Sequence, residues 1–282
     1  MFAVEEKPTN EVPDKMNPTQ VMPIEAAQPN SSPLIRVRAS AGLIPWAGPM
    51  LLVSARSTLL LAFQSLLALV FLARSRPGAW REAGYYWPVY ATLVDIACLA
   101  AMRYFTRREK IRLRDLLGPI RLRHGRDIFL GLGYFALIFP LFFLAGTFAQ
   151  RLLVSPTGEN AGALLAHLHP MPLWATIYGL SVWWMIWSPT EEATYQAYAL
   201  PRLQALTGRT WAAFAVVGFW WAAQHCFLPF VPNLRLIFFR FVAFLPGVLG
   251  LMAVYWRTRR LAPLVIAHWP MDIIAAIMTA SS

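Results

Sequence analysis

The chain has 282 residues, of which 57% are hydrophobic and only 14% charged, against about 25% charged in an ordinary soluble domain. That excludes a soluble globular enzyme and reads as a polytopic membrane bundle. The net charge is +11, but the basic excess falls in short joints between apolar runs. Positive-inside flanks have this pattern, so no nucleic-acid partner is expected. The only cysteines, Cys98 and Cys226, lie inside apolar runs and offer no disulfide framework.

Residues 1–48 carry prolines at 8, 13, 18, 23, 29, 33 and 45 and lack helical periodicity, which predicts a disordered, Pro-rich N-terminal tail. Glu5, Glu6 and Lys7 stand where a signal peptide would build its apolar stretch, so the first apolar run is expected to serve as both targeting signal and anchor. Residues 49–282 are expected to form the transmembrane bundle. Apolar runs near 57–73, 84–102, 128–150, 171–187, 211–228, 236–256 and 261–280 predict spanning helices. The less apolar stretch 189–206 is either a further crossing or a helix at one membrane face. The predicted fold class is therefore all-α, a polytopic transmembrane helix bundle with seven or eight crossings. Nine basic residues lie within 103–127, which places that joint in the cytosol.

Beyond residue 127 only four acids remain: Glu159, Glu191, Glu192 and Asp272. An ionisable group at the centre of a membrane helix costs about 2.5–3.5 kcal/mol, so such groups generally face an interior cavity and act there. The apolar helices hold two histidines, His225 and His268, whereas His124, His167 and His169 fall in loops. Asp95, inside the second span, has no basic partner on its own helix face and either pairs with another helix or lines the cavity.

Ser188-Pro189-Thr190-Glu191 predicts a helix start, with serine as cap, proline in the first turn and glutamate three residues after the cap. That helix runs to about Leu206, where Thr207-Gly208-Arg209 supplies a turn. Glu192 lies 16 residues before Gly208 and His225 lies 17 after it. At about 1.5 Å per residue both stand about 25 Å from the turn, at one depth of an antiparallel hairpin. His268 and Asp272, four apart, share a helix face. Two glutamates, two imidazoles and one aspartate are expected to converge in a polar pocket.

Three segments carry a resemblance: Glu191-Glu192-Ala193-Thr194-Tyr195-Gln196, Trp221-Ala222-Ala223-Gln224-His225 and His268-Trp269-Pro270-Met271-Asp272. In order and spacing they resemble the CAAX-protease and bacteriocin-processing family of intramembrane glutamate endopeptidases, over a protease-like core of about residues 171–280. The family commonly has arginine where Gln196 stands and asparagine where Asp272 stands. The resemblance implies peptide-bond hydrolysis by an activated water, with Glu191, Glu192, His225, His268 and Asp272 as the catalytic set. Glu191 would be the base, His225 would hold the water, and His268 with Asp272 would donate to the oxyanion. Glu192 would orient the site by bonding Gln196. No cofactor is expected, with zinc on Glu191, His225 and His268 as the competing version. The expected partners are membrane lipids and a membrane-anchored protein or lipidated peptide substrate, in an integral protein of the bacterial plasma (inner) membrane. Two rival readings stay open, a proton-coupled transporter and a non-catalytic membrane scaffold of protease descent.

Overall fold

A computed structural model describes residues 29–117, 124–154, 156 and 171–281. These are helical throughout, with no strand among the described residues. His167, His169 and Glu159 lie outside them, as does the first part of the predicted tail, residues 1–28. The second part of that tail folds: α1, Ser32–Ser40, starts with Pro33 in its first turn and buries Ile35. It packs on the helix segment Leu200–Thr207, to which Asn30 adds a hydrogen bond at Ala197 O, 3.0 Å. An apolar anchor and a neighbouring helix override the proline-rich composition there.

The helices that follow are α2, Ala47–Ala73, a short α3, Ala79–Gly84, and α4, Trp87–Arg108. Next comes α5, His124–Ala149, continued by a π-helical turn at Gln150–Val154. Two antiparallel partners, α7, Thr210–Gln224, and α8, Leu234–Thr258, lead to the last helix, α9, Ala262–Ser281. Between α5 and α7 lies α6, one unbroken helical run over residues 173–207. Its α-helical segments Leu173–Tyr178, Trp184–Glu192 and Leu200–Thr207 alternate with π-helical turns at Gly179–Trp183 and Ala193–Ala199.

The continuity of α6 corrects the expected helix start at Ser188. That residue sits mid-helix, its Oγ donating to Trp184 O at 3.1 Å, and Thr190 Oγ1 likewise donates to Ile186 O at 2.8 Å. Bonding to the carbonyl four residues back is how hydroxyl side chains are accommodated inside a helix. An interrupted backbone in an apolar bundle would strand polar groups that have no water to bond, so the run continues through Pro189. Residues 189–206 are thus the second half of α6 rather than a separate element. The expected turn at 207–209 holds: Gly208 takes a left-handed φ of 66° and Thr207 Oγ1 accepts from Arg209 N at 3.1 Å.

Four described helices are long and apolar enough to cross a membrane: Ala47–Ala73, Trp87–Arg108, Gly125–Val154 and Leu234–Thr258; Ala262–Met278 is shorter. The protein is an integral membrane protein. The first span begins about ten residues earlier than its hydropathy predicts, because Arg56 lies inside α2 and is fully buried. The α5–α8 contact is close, since a Cβ at Gly247 would meet the Phe142 ring at 2.3 Å; small residues serve membrane helix pairs by letting backbones approach.

Candidate active site

The predicted hairpin brings α6 and α7 together at the depth expected, with the first glutamate of the pair turned toward His225. Glu191 is fully buried; its Oε1 accepts from Trp221 Nε1 and Gln224 Nε2 and lies 3.8 Å from His225 Nε2. The other oxygen, Oε2, has no hydrogen-bond partner and lies 3.8 Å from His268 Nε2. One carboxylate is therefore held by two donors through one oxygen, while its second oxygen faces an imidazole and stays open.

Both imidazoles are oriented by what surrounds them. His225 Nδ1 lies 2.9 Å from Trp221 O; a carbonyl only accepts, so Nδ1 carries a proton and Nε2 is the ring nitrogen turned to Glu191. The ring stacks on Phe244 of α8 at 3.8 Å between centroids. Arg240, one turn earlier on α8, donates to His225 O at 3.4 Å and Pro229 O at 2.6 Å, fixing the chain that leaves α7. His268 Nδ1 donates to Glu192 Oε1 at 2.9 Å, which leaves Nε2 between Glu191 and Asp272 Oδ1, the latter 3.7 Å away. Asp272 Oδ2 accepts from Ser188 Oγ.

All five residues predicted to form the site converge, yet two of the expected pairings differ. Glu192 bonds His268 rather than Gln196, whose amide nitrogen and oxygen are both buried without a partner. Gln196 stands in the π-helical turn Ala193–Ala199, where the wider turn changes which positions stack. Asp95 finds its partner on another helix: Arg56 Nη1 donates to Asp95 Oδ1 at 2.8 Å, both fully buried. Among the described residues, no group of three or more His, Cys, Asp or Glu is disposed to hold a metal ion, the set Glu191, His225 and His268 included.

Four further participants have roles that the sequence did not disclose. Trp221 bonds Glu191 and stacks on Tyr195 at 5.1 Å, so it is more than the packing aromatic that its type implies. Gln224 shares the α7 face with Trp221 and His225 at three- and four-residue spacing, a signal present in the sequence. Ser188, read as a cap, serves Asp272 instead. Arg56 lies far outside the motifs and has no sequence signal beyond being a charge at the edge of an apolar run.

Residues 170–274 match the family described as Rce1-like, type II CAAX prenyl endopeptidase Rce1-like. That segment is an Rce1-like domain of the CAAX-protease family. No curated protein and no solved structure matches the chain. The matched segment takes in α6, α7, α8 and most of α9, hence every residue of the predicted catalytic set, and the family it matches is one of endopeptidases. It leaves out α2 and α4, and with them Arg56 and Asp95.

Proposed function

We propose that the protein is an intramembrane endopeptidase of the bacterial plasma membrane, hydrolysing a peptide bond of a membrane-associated protein or lipidated peptide with a water activated by Glu191. One observation carries this reading: Glu191 is anchored by two side-chain donors through Oε1, which lies 3.8 Å from His225 Nε2, while Oε2 stays open 3.8 Å from His268 Nε2. A buried oxygen without a partner is the exception in proteins, and here it is the atom that a water nucleophile needs.

In the proposed reaction Glu191 Oε2 takes a proton from water as its oxygen attacks the peptide carbonyl carbon. His225 accepts the water's other hydrogen at Nε2 and aims it. The carbonyl oxygen becomes an oxyanion, to which His268 donates from Nε2; Glu192 and Asp272, on either side of that ring, suit an imidazolium there. Collapse of the tetrahedral intermediate breaks the C–N bond, and the proton held on Glu191 goes to the leaving amine. A positioned base of this kind contributes about 10²–10⁴-fold. The helices α2 and α4–α9 serve as seven crossings in this reading, the eighth disappearing because 189–206 belongs to α6. The transporter reading loses one of its path residues, since Asp95 is tied to Arg56.

The test incubates the purified chain in nanodiscs with a farnesylated peptide ending in Cys and three further residues, and compares the membrane proteomes of wild-type and Glu191→Gln cells. Cleavage by wild type, lost in the variant without loss of folding, is expected. Equal cleavage by both overturns the role of Glu191. Cleavage abolished by a zinc chelator and restored by zinc would replace the metal-free mechanism with the zinc version.

A further inference from the structure

Arg56 is the permanent cation joined to the catalytic carboxylate, and it comes from outside the Rce1-like domain. Its guanidinium is fully buried in the middle of a spanning helix, where a charge is retained only for work or with a partner. Asp95 on α4 accepts from Nη1 at 2.8 Å, the face of the guanidinium lies 4.0 Å over Trp187, and Nε donates to Gln224 Oε1 at 2.7 Å. The carboxylate and the ring leave the guanidinium little freedom, so its Nε–H is aimed.

That aim decides which way Gln224 points. The Gln224 Oε1 atom accepts from Arg56 Nε and from Tyr195 Oη, the latter at 3.1 Å. With two donors facing the oxygen, the amide cannot be turned round: its NH2 would meet N–H and O–H donors, and its carbonyl would meet the Glu191 carboxylate. Gln224 therefore presents Nε2 to Glu191 Oε1, and with Trp221 it holds that oxygen. The chain of contacts Asp95–Arg56–Gln224–Glu191 runs from α4 through α2 and α7 to α6, each link a side-chain hydrogen bond between buried groups.

We infer that Arg56 is a positioning residue for the reaction: through Gln224 it fixes the orientation of Glu191, with Asp95 locking the guanidinium in place. This rests on the endopeptidase reading of the site. The charged and titratable groups facing Glu191 are His225 on α7, His268 and Asp272 on α9, and Glu192 beside it on α6. Removing Arg56 takes away the donor that fixes the Gln224 amide, and with it the fixed direction of the N–H that Gln224 gives to Glu191 Oε1.

The experiment measures kcat and KM of the full chain in nanodiscs for wild type, Arg56→Gln/Asp95→Asn and Gln224→Met. The double variant removes both charges together, so neither is left unpaired. A 10- to 100-fold fall in kcat with KM within about threefold is expected for the double variant. Gln224→Met, which keeps the Arg56–Asp95 pair, is expected to lose kcat alike, and it decides the matter if the double variant does not fold. Arg56→Lys in the Asp95 background is expected to recover part of kcat. Wild-type kcat in a folded double variant, or wild-type kcat in Gln224→Met, overturns the inference. Absence of cleavage by wild type overturns the endopeptidase reading itself, which separates the two failures.

Discussion

Among the described residues two arginine–carboxylate pairs are fully buried, and they differ in what the arginine does with its remaining donors. At the end of α6, Arg202 grips Glu109 through Nε and Nη2, at 2.6–3.0 Å, and gives Nη1 to Asn30 and to the carbonyls of Ala197 and Tyr198. Its face covers Tyr198 at 4.1 Å. Every donor is spent on tying α1, α4 and α6 to one another, and none reaches the catalytic carboxylates. At the site, Arg56 gives Asp95 a single N–H and turns Nε away from it, to Gln224 and hence to Glu191. A forked, closed pair is a clamp, whereas a single-donor pair with an aimed N–H transmits an orientation. Charge and burial alone would class the two as equivalent, and only the geometry of the donors separates them.

Substitutions can break or sharpen that contrast. The largest effect belongs to the carboxylate at the end of the chain of contacts: Glu191→Gln, nearly isosteric, is expected to lower kcat by about 10²–10⁴-fold while leaving the thermal transition in place, measured by peptide cleavage and by scanning fluorimetry. Next comes the clamp. Glu109→Gln leaves the Arg202 charge buried without its counter-ion and is expected to cost about 3–5 kcal/mol of stability, with activity per folded molecule unchanged. A fall in kcat without loss of stability would dissolve the distinction between the two pairs.

A smaller effect is expected at Ser188→Ala, which removes the donor to Asp272. A roughly tenfold fall in kcat, equivalent to about 1.4 kcal/mol in the barrier, with little change in KM, would show that Asp272 needs this bond to support His268. The smallest is Gln196→Met. The Gln196 amide has no partner at either atom, and replacing an unpaired buried polar group by an apolar one of similar shape is neutral or mildly stabilising. Activity within about threefold of wild type is expected; a large loss would mean that Gln196 bonds Glu192 during catalysis.

Much of the site was legible before any coordinates. Scarcity of acids past residue 127 isolated the right carboxylates, and the Gly208 turn set Glu191, Glu192 and His225 at one depth. A four-residue spacing put His268 and Asp272 on one face. Their partners were not legible. Counting along the hairpin sets both glutamates at the depth of His225, and only rotation about the helix axis gives the place beside it to Glu191 and sends Glu192 to His268. Ser188-Pro189-Thr190-Glu191 has the residues of a helix start, and its hydroxyls are instead spent on carbonyls four residues back within a continuous helix. In the tail, composition pointed away from structure, but Ile35 is buried and α1 docks on the end of α6.

By itself the sequence determined the all-helical membrane class, the hairpin turn and which five side chains gather at the candidate site, because these follow from hydropathy, from glycine's access to left-handed backbone and from helical periodicity. Tertiary structure alone decided which oxygen of Glu191 is held and which stays open, and that the pair Arg56–Asp95 lies behind it. Those facts depend on side chains from α2, α4, α6 and α7 meeting at distances of a few ångströms, and residues that far apart in the chain share no spacing through which such a meeting could be read.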